Sequence, residues 1–389
     1  MTDLLTVSHR YGRDPAFVLA GGGNTSLKTA DRLWVKASGT ALATITEAGF
    51  VEMDRAKLQR ILDDGWPEDP AVREAEFQRR ISDARVRPEL NQRPSVEVLL
   101  HHLMPQRLVV HTHPTVVNAV TCCVYGSGIA AAESGVRFVW QPYVDPGWVL
   151  GNCVAGSVSA TLENLGWQAS VVLLENHGLV VAGDSVDEIE RTTNTIIAGF
   201  PPLPKPFTAA ADRGQLAGWE QAIKAESVRS TGVPPVPCDP GTGETPVLRG
   251  TSIVSDSSAP IRWITDTAEG KAAALAGPMT PDQIVYARSF PLWLDGPPSA
   301  DGFRPAVARY VERYGFEPWV ILVAGAGMIV IRSTPKMAEI TRAVYTDAAV
   351  IYRAAHGLGG VQTLSAGDRD FIESWEVESY RRTVSQKEK

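Results

Sequence analysis

Two hydrophobic periods alternate along the first 200 residues. Arg32–Ala37, Arg107–His111, Val171–Leu174 and Leu179–Ala182 are short apolar runs of strand length, the last two flanking the turn Glu175–Gly178. Between them the spacing becomes helical. Arg55–Asp63 places Leu58, Ile61 and Leu62 on one face. Val96–Leu103 reads as a helix opened by Pro94 with Ser95 as its N-cap. Pro114–Cys123 reads as another, with proline in the first turn, where a missing N–H is tolerated. Val186–Ile197 is a fourth. This alternation predicts a mixed α/β domain over residues 1–200.

From 201 to 250 the pattern breaks into the segments PPLPKP and VPPVPCDPGTGETP, with a helix expected between them over Asp212–Val228. We read this stretch as a linker with a helical island. Residues 251–389 are again α/β and carry an internal echo. VVLLENHGLVVAGDSVDEIERT, from Val171, matches VILVAGAGMIVIRSTPKMAEITRA, from Val320: apolar strand, glycine turn, apolar strand, polar turn, helix. Aligning Gly178 with Gly327 puts Ala326 opposite His177, so the second, smaller α/β domain is expected to be a degenerate repeat.

Composition narrows the class. The net charge of −7 argues against a general nucleic-acid binder, although a local pocket can still be positive. Four cysteines, Cys122, Cys123, Cys153 and Cys238, with no CxxC pair, fit a reducing compartment, and Cys122 and Cys123 read as small core residues. The N-terminus lacks an apolar targeting segment, and the apolar stretch Trp319–Ile331 is too short to span a bilayer. A cytoplasmic protein without membrane partners is expected.

Four segments carry chemistry. In His111-Thr112-His113 an extended chain presents residues i and i+2 on one face, so two imidazoles stand together, a donor pair suited to Zn²⁺ or a similar divalent ion. In Glu175-Asn176-His177-Gly178 a third imidazole sits at the tip of two strands, and Gly178 permits a tight turn or close backbone approach. Arg93-Pro94-Ser95-Val96-Glu97 puts a carboxylate in the first turn of a helix, where it could bind a metal or move a proton. Gly21-Gly22-Gly23-Asn24-Thr25-Ser26 and Ala37-Ser38-Gly39-Thr40 are glycine- and hydroxyl-rich loops of the kind that hold phosphate. No GxGxxG follows a strand, so no NAD chemistry is expected.

In this order, GGGNTS, WVKASGT, RPSVE, HTHP and ENHG resemble the class II aldolase/adducin family over roughly residues 15–200. The resemblance implies a class II aldolase-like central β-sheet flanked by helices, with His111, His113 and His177 as ligands to Zn²⁺ or another divalent metal. It makes Glu97 the catalytic acid/base, and Asn24, Thr25, Ser38, Gly39 and Ser95 the residues that hold a substrate phosphate. The implied reaction is retro-aldol cleavage of a rhamnulose- or fuculose-like ketose 1-phosphate to dihydroxyacetone phosphate and an aldehyde, in a homo-oligomer (dimer or tetramer). Epimerisation of a pentulose phosphate, decarboxylation of a sugar acid and a non-enzymatic adducin-like module are the alternatives. The C-terminal half, ending SAGDRDFIESWEVESYRR, resembles the aldolase part of bifunctional rhamnulose-1-phosphate aldolase/alcohol dehydrogenases, and the chain stops where the dehydrogenase part would begin. Val96 stands where simple sugar-phosphate aldolases of the family carry a second serine.

Overall fold

The computed structural model describes residues 1–208, 213–230 and 252–374. They fall into two units, Met1–Pro202 with Ala366–Lys389, and Leu203–Ser365.

The first unit is organised by a seven-stranded sheet of order β3-β2-β1-β4-β7-β6-β5. Its strands are β1 Asn24–Lys28, β2 Arg32–Lys36, β3 Phe50–Asp54, β4 Leu108–Thr112, β5 Val139–Gln141, β6 Val171–Leu174 and β7 Gly178–Gly183. All pair antiparallel except β5 and β6. The helices are α1 Thr2–Gly12, α2 Arg55–Asp63, α3 Pro70–Asp83, α4 Val98–Leu103, α5 Thr115–Thr121, α6 Gly126–Glu133, α7 Trp148–Leu165 and α8 Val186–Gly199, with α15 Ala366–Ser374 near the C-terminus. α2 starts where Asp54 accepts a hydrogen bond from the Lys57 N–H at 3.0 Å, and α8 where Ser185 does the same for Glu188 at 3.2 Å. α4 and α7 bury Leu100, Met104, Leu150 and Val154 against Val109, Val172 and Val180 of the sheet.

Two local readings change. GGGNTS is a loop only as far as Gly23, because Asn24, Thr25 and Ser26 lie in β1, between β2 and β4 in the sheet interior. The helix expected from Val96 starts at Val98, with Glu97 at the N-cap position. Ser95 Oγ instead accepts the Glu97 N–H at 3.3 Å.

The second unit contains α9 Arg213–Ser230, β8 Ser252–Asp256, α10 Ala259–Asp266, α11 Ala268–Ala276, α12 Pro281–Ala287, β9 Leu292–Leu294, α13 Ala300–Tyr314, β10 Val320–Val323, β11 Gly327–Arg332 and α14 Pro335–Gly357. The helix expected over 212–228 is thus α9, while 209–212 and 231–251 of the linker, with Cys238, lie outside the described residues, as do 375–389. The sheet order β8-β11-β10-β9 reproduces β4-β7-β6-β5 strand for strand, including the one parallel pair. The correspondence extends to single backbone bonds. Asn176 N–H donates to Thr121 O at 3.0 Å, and Gly325 N–H to Thr265 O at 2.8 Å. Glu175 donates to Gln141 O and Ala324 to Leu294 O, both at 2.9 Å. The strands equivalent to β1–β3 have no counterpart among the described residues of this unit.

Candidate metal centre

Sheet register brings the separated motifs together. Asn24 on β1 is the Cα partner of His111 on β4, and His111 is that of Val180 on β7, so Asn24 and His111 share one face. His113 follows just past the end of β4 and His177 sits in the β6–β7 turn. That turn is made possible by Asn176, whose φ of 53° is the left-handed conformation asparagine tolerates better than most residues. Gly178 serves the other purpose allowed for it, close approach. A Cβ there would lie 2.6 Å from Thr112 O and 2.8 Å from His113 Cδ2.

The nitrogens of His111, His113 and His177 lie within 4.8 Å of one another, and their rings are centred 4.8 to 5.2 Å apart. His111 Nδ1–H donates to Leu179 O at 3.1 Å, which leaves Nε2 as the bare nitrogen facing His113 Nε2 at 3.0 Å. Burial pushes the His111 pKa down to about 3, so the ring is neutral at physiological pH. Glu97 closes the group. Its Oε1 lies 3.4 Å from His111 Nε2 and 3.2 Å from His177 Nε2. Burial opposes its charge, but the facing His111 and His177 and the Asn24 amide hold the carboxyl well below its usual range.

These donors fit a divalent cation. A neutral His111 ring beside an ionised Glu97 carboxylate is the combination of protonation states a cation requires. Oε1 of Glu97 is buried and accepts no hydrogen bond, a costly arrangement unless something positive faces it.

The other expected residues divide. The Asn24 amide lies between Glu97 and His101: its Nδ2 donates to Glu97 Oε2 at 2.6 Å, and its Oδ1 bonds His101 Nε2. Thr25 points to the opposite face of β1, where its hydroxyl bonds Ser8 of α1 at 2.6 Å. Ser38 Oγ donates to Pro94 O at 3.0 Å and, with Ser95, lines a cavity of about 380 Å³. Gly39 follows Ser38 with a φ of 86°. Arg85 and Arg93 also line that cavity and no carboxylate does, which favours an anion there; Val96 forms part of its apolar wall. None of the three clustered histidines lines it.

His101 and Arg85 went unnoticed in the sequence, while Arg93 stood in the RPSVE motif without a role. His101 had a legible signal, since it stands four residues after Glu97 and therefore on the same helical face. Arg85 had none, because only the fold of α3 carries it to Ser95.

Residues 3–196 match the model of the class II aldolase and adducin N-terminal domain. Among curated proteins, the chain is 27 % identical over 426 residues to the uncharacterized oxidoreductase YuxG of Bacillus subtilis (strain 168). That match takes in 98 % of this chain but 58 % of the relative, so the chain spans little more than half of the relative's length. Among solved structures, the N-terminal class II aldolase domain of a conserved Thermoplasma acidophilum protein is 27 % identical, covering 50 % of this chain and 89 % of that one, with a TM-score of 0.42. The L-fuculose-1-phosphate aldolase of Thermus thermophilus is 19 % identical, covering 51 % and 91 %, with a TM-score of 0.33. No described helix is long and apolar enough to cross a membrane.

Proposed function

We propose, from the match of residues 3–196 to the class II aldolase and adducin N-terminal domain, that this protein is a metal-dependent carbon–carbon lyase that cleaves a ketose 1-phosphate to dihydroxyacetone phosphate and an aldehyde. The observation that carries this reading is the buried Glu97 Oε1 facing His111 and His177 Nε2 at 3.4 and 3.2 Å, where these two rings converge with His113. His111, His113 and His177 would hold the cation, Zn²⁺ or another divalent transition metal. The chemistry supplied by a cation held there is Lewis-acid stabilisation of the negative charge that develops on the ketone half as the C3–C4 bond breaks.

The protein's own groups supply the rest. Glu97, ionised at rest, carries the proton. In the cleavage direction it takes the proton that the C4 hydroxyl releases as the C3–C4 bond breaks and passes it to C3 of the ketone half. In the synthetic direction it removes a proton from that carbon and returns it to the aldehyde oxygen. The Asn24 amide fixes one carboxylate oxygen, so the other is available at the reacting side. Burial of Glu97 and His111 excludes water that would otherwise compete for that proton. The serine- and arginine-lined cavity beside Ser38 and Ser95 supports an anionic group on the substrate. Its arginines also offer a compensating grip for the hydroxyl missing at Val96. The name and greater length of the Bacillus relative fit a chain equivalent to the aldolase part of a bifunctional protein. Assembly as a homo-oligomer belongs to the same proposal and is read by light scattering.

The test is product identity. Metal-free protein, reloaded with Zn²⁺, Mn²⁺ or Co²⁺, is offered a panel of ketose 1-phosphates, pentulose phosphates and sugar acids, with and without chelator and with and without NAD⁺. Two carbon fragments formed only with metal are expected. A single isomer, carbon dioxide, or NADH production would replace aldol cleavage by epimerisation, decarboxylation or oxidation, and failure to bind any divalent ion would remove the enzymatic reading.

A further inference from the structure

The carboxylate of Glu97 is aimed by a chain of buried groups that lies behind it. Asn24 bridges two partners: Nδ2 donates to Glu97 Oε2 at 2.6 Å, while Oδ1 is bonded to His101 Nε2. The other nitrogen of His101, Nδ1, meets Ser26 Oγ at 2.7 Å. Asn24, Ser26 and His101 are all buried, so no solvent exchange blurs these partnerships.

Hydrogen-bond polarity leaves one consistent assignment. Glu97 Oε2 can only accept, so the Asn24 group facing it must be the NH₂. Oδ1 then faces His101 and can only accept, so Nε2 must carry the His101 proton. Nδ1 is left bare and accepts the Ser26 hydroxyl. With the opposite tautomer, Nε2 would accept from the Asn24 NH₂, the amide would turn over, and its Oδ1 would face Glu97 Oε2 as a second acceptor. Two buried oxygens in contact without a proton between them are destabilised. Burial also keeps His101 neutral, its pKa pushed down to about 3, as a one-proton ring must be for this chain to hold.

We propose that His101 is a positioning residue: by holding the Asn24 amide in one orientation, it keeps Glu97 Oε2 occupied and Oε1 turned toward His111 and His177. It touches neither the candidate cation ligands nor the cavity beside Ser95. Its effect on turnover rests on the reading of Glu97 as proton carrier, whereas its effect on the Asn24 amide does not.

Two variants separate the role from mere packing. His101→Gln can place an amide N–H near the position of Nε2, whereas His101→Phe fills the space without a donor. The first readout is ¹⁵N NMR of the metal-free protein labelled in histidine and asparagine. The wild type is expected to carry the His101 proton on Nε2, and the Asn24 NH₂ resonance shifted by its carboxylate bond is expected to persist in the Gln variant and vanish in the Phe variant. A proton on Nδ1, or an Asn24 resonance unchanged in a folded Phe variant, overturns the proposal whatever the substrate. The second readout is kinetic, with whichever ketose phosphate the product-identity panel shows to be cleaved. The Phe variant should lose kcat by about 10- to 100-fold at nearly unchanged KM and zinc affinity, with most of the rate recovered in the Gln variant. Full turnover in a folded, zinc-loaded Phe variant, or a Gln variant as impaired as Phe, overturns it too. If no ketose phosphate is cleaved at all, the aldolase reading fails while the NMR result still decides the role of His101.

Discussion

Gly178→Ala tests whether the turn and the metal centre are mechanically one object. The glycine backbone is not in a left-handed conformation, so alanine is conformationally permitted and on that ground would stabilise by about 0.4–1 kcal/mol. Space reverses the sign. The new methyl would sit 2.6 Å from Thr112 O and 2.8 Å from His113 Cδ2, with His111 Cε1 at 3.4 Å. The nearest atom is backbone in the middle of the sheet, so it cannot swing aside, and β4 and β7 must separate. Overpacking of this kind costs about 1–3 kcal/mol, leaving a net loss of roughly 1–2 kcal/mol. For a unit of this size that corresponds to a fall in Tm of about 2–8 °C. The second touched atom belongs to a candidate ligand, so zinc affinity should fall by about 10- to 100-fold, the effect expected when a ligand's support is disturbed. Gly327→Ala is the internal control. It repeats the clash against Asp256 O at 2.5 Å and adds strain at a φ of +147°, yet no imidazole is nearby to displace. Calorimetry and competition with a chromophoric chelator read the two quantities separately. Both variants should lose stability, and only Gly178→Ala should lose metal. A folded Gly178→Ala protein with wild-type zinc affinity would refute the coupling of turn to site.

Three further outcomes are expected. Glu97→Gln should retain zinc and lower kcat by about 100- to 10,000-fold in the metal-loaded enzyme; wild-type turnover would remove Glu97 from proton transfer. Arg93→Ser should raise KM for a phosphorylated substrate by about tenfold with kcat kept, since it removes attraction shared by ground and transition states; an equal loss for the unphosphorylated sugar would place the anion elsewhere. Asp145, raised to about 6 by burial and by neighbouring Asp368, binds more protons folded than unfolded between roughly pH 4 and 6. Stability therefore falls as pH rises through that window and the penalty is complete above it. Asp145→Asn should gain about 1 kcal/mol at pH 7.5, after discounting for partial exposure, and nothing at pH 4, as read by melting curves at both pH values.

Elements whose burial follows a simple rule were readable from the chain. α2 spans Arg55–Asp63 as its one-sided spacing requires, and β6 and β7 are apolar throughout because helices or neighbouring strands cover them. β1 escaped because its first three residues are polar and all buried, a pattern that resembles a loop when only hydrophobicity is followed. The reason for that polarity is the site itself: Asn24 and Ser26 are needed for Glu97 and His101, and Thr25 for Ser8. The three histidines were legible singly, and HxH also as a pair. Their convergence with Glu97 depends on the β1–β4–β7 register, which no local pattern contains. The helix α15 is a similar case, since it follows the second unit in sequence but belongs to the first in space.

The second unit shows how little of this site the frame itself demands. The same strand order and the same turn-closing bonds recur, but Ser255, Ser257 and Ala326 stand at the places of His111, His113 and His177. α9 precedes β8 in the chain as α4 precedes β4, and it packs against β8 and β11. Its Glu220 accepts from Ser255 Oγ at 3.1 Å, much as Glu97 faces His111, but it is also paired with Lys224 at 2.5 Å. Ala326 belongs to the same buried apolar cluster as Leu216, Trp219 and Ile223 of that helix. Backbone hydrogen bonds therefore preserve the architecture in both units, while reactivity depends on a few side chains that the architecture tolerates but does not require. Restoring histidine at 255, 257 and 326 would not by itself rebuild a metal centre, because position 326 is packed into an apolar cluster and the carboxylate facing Ser255 is already paired with Lys224.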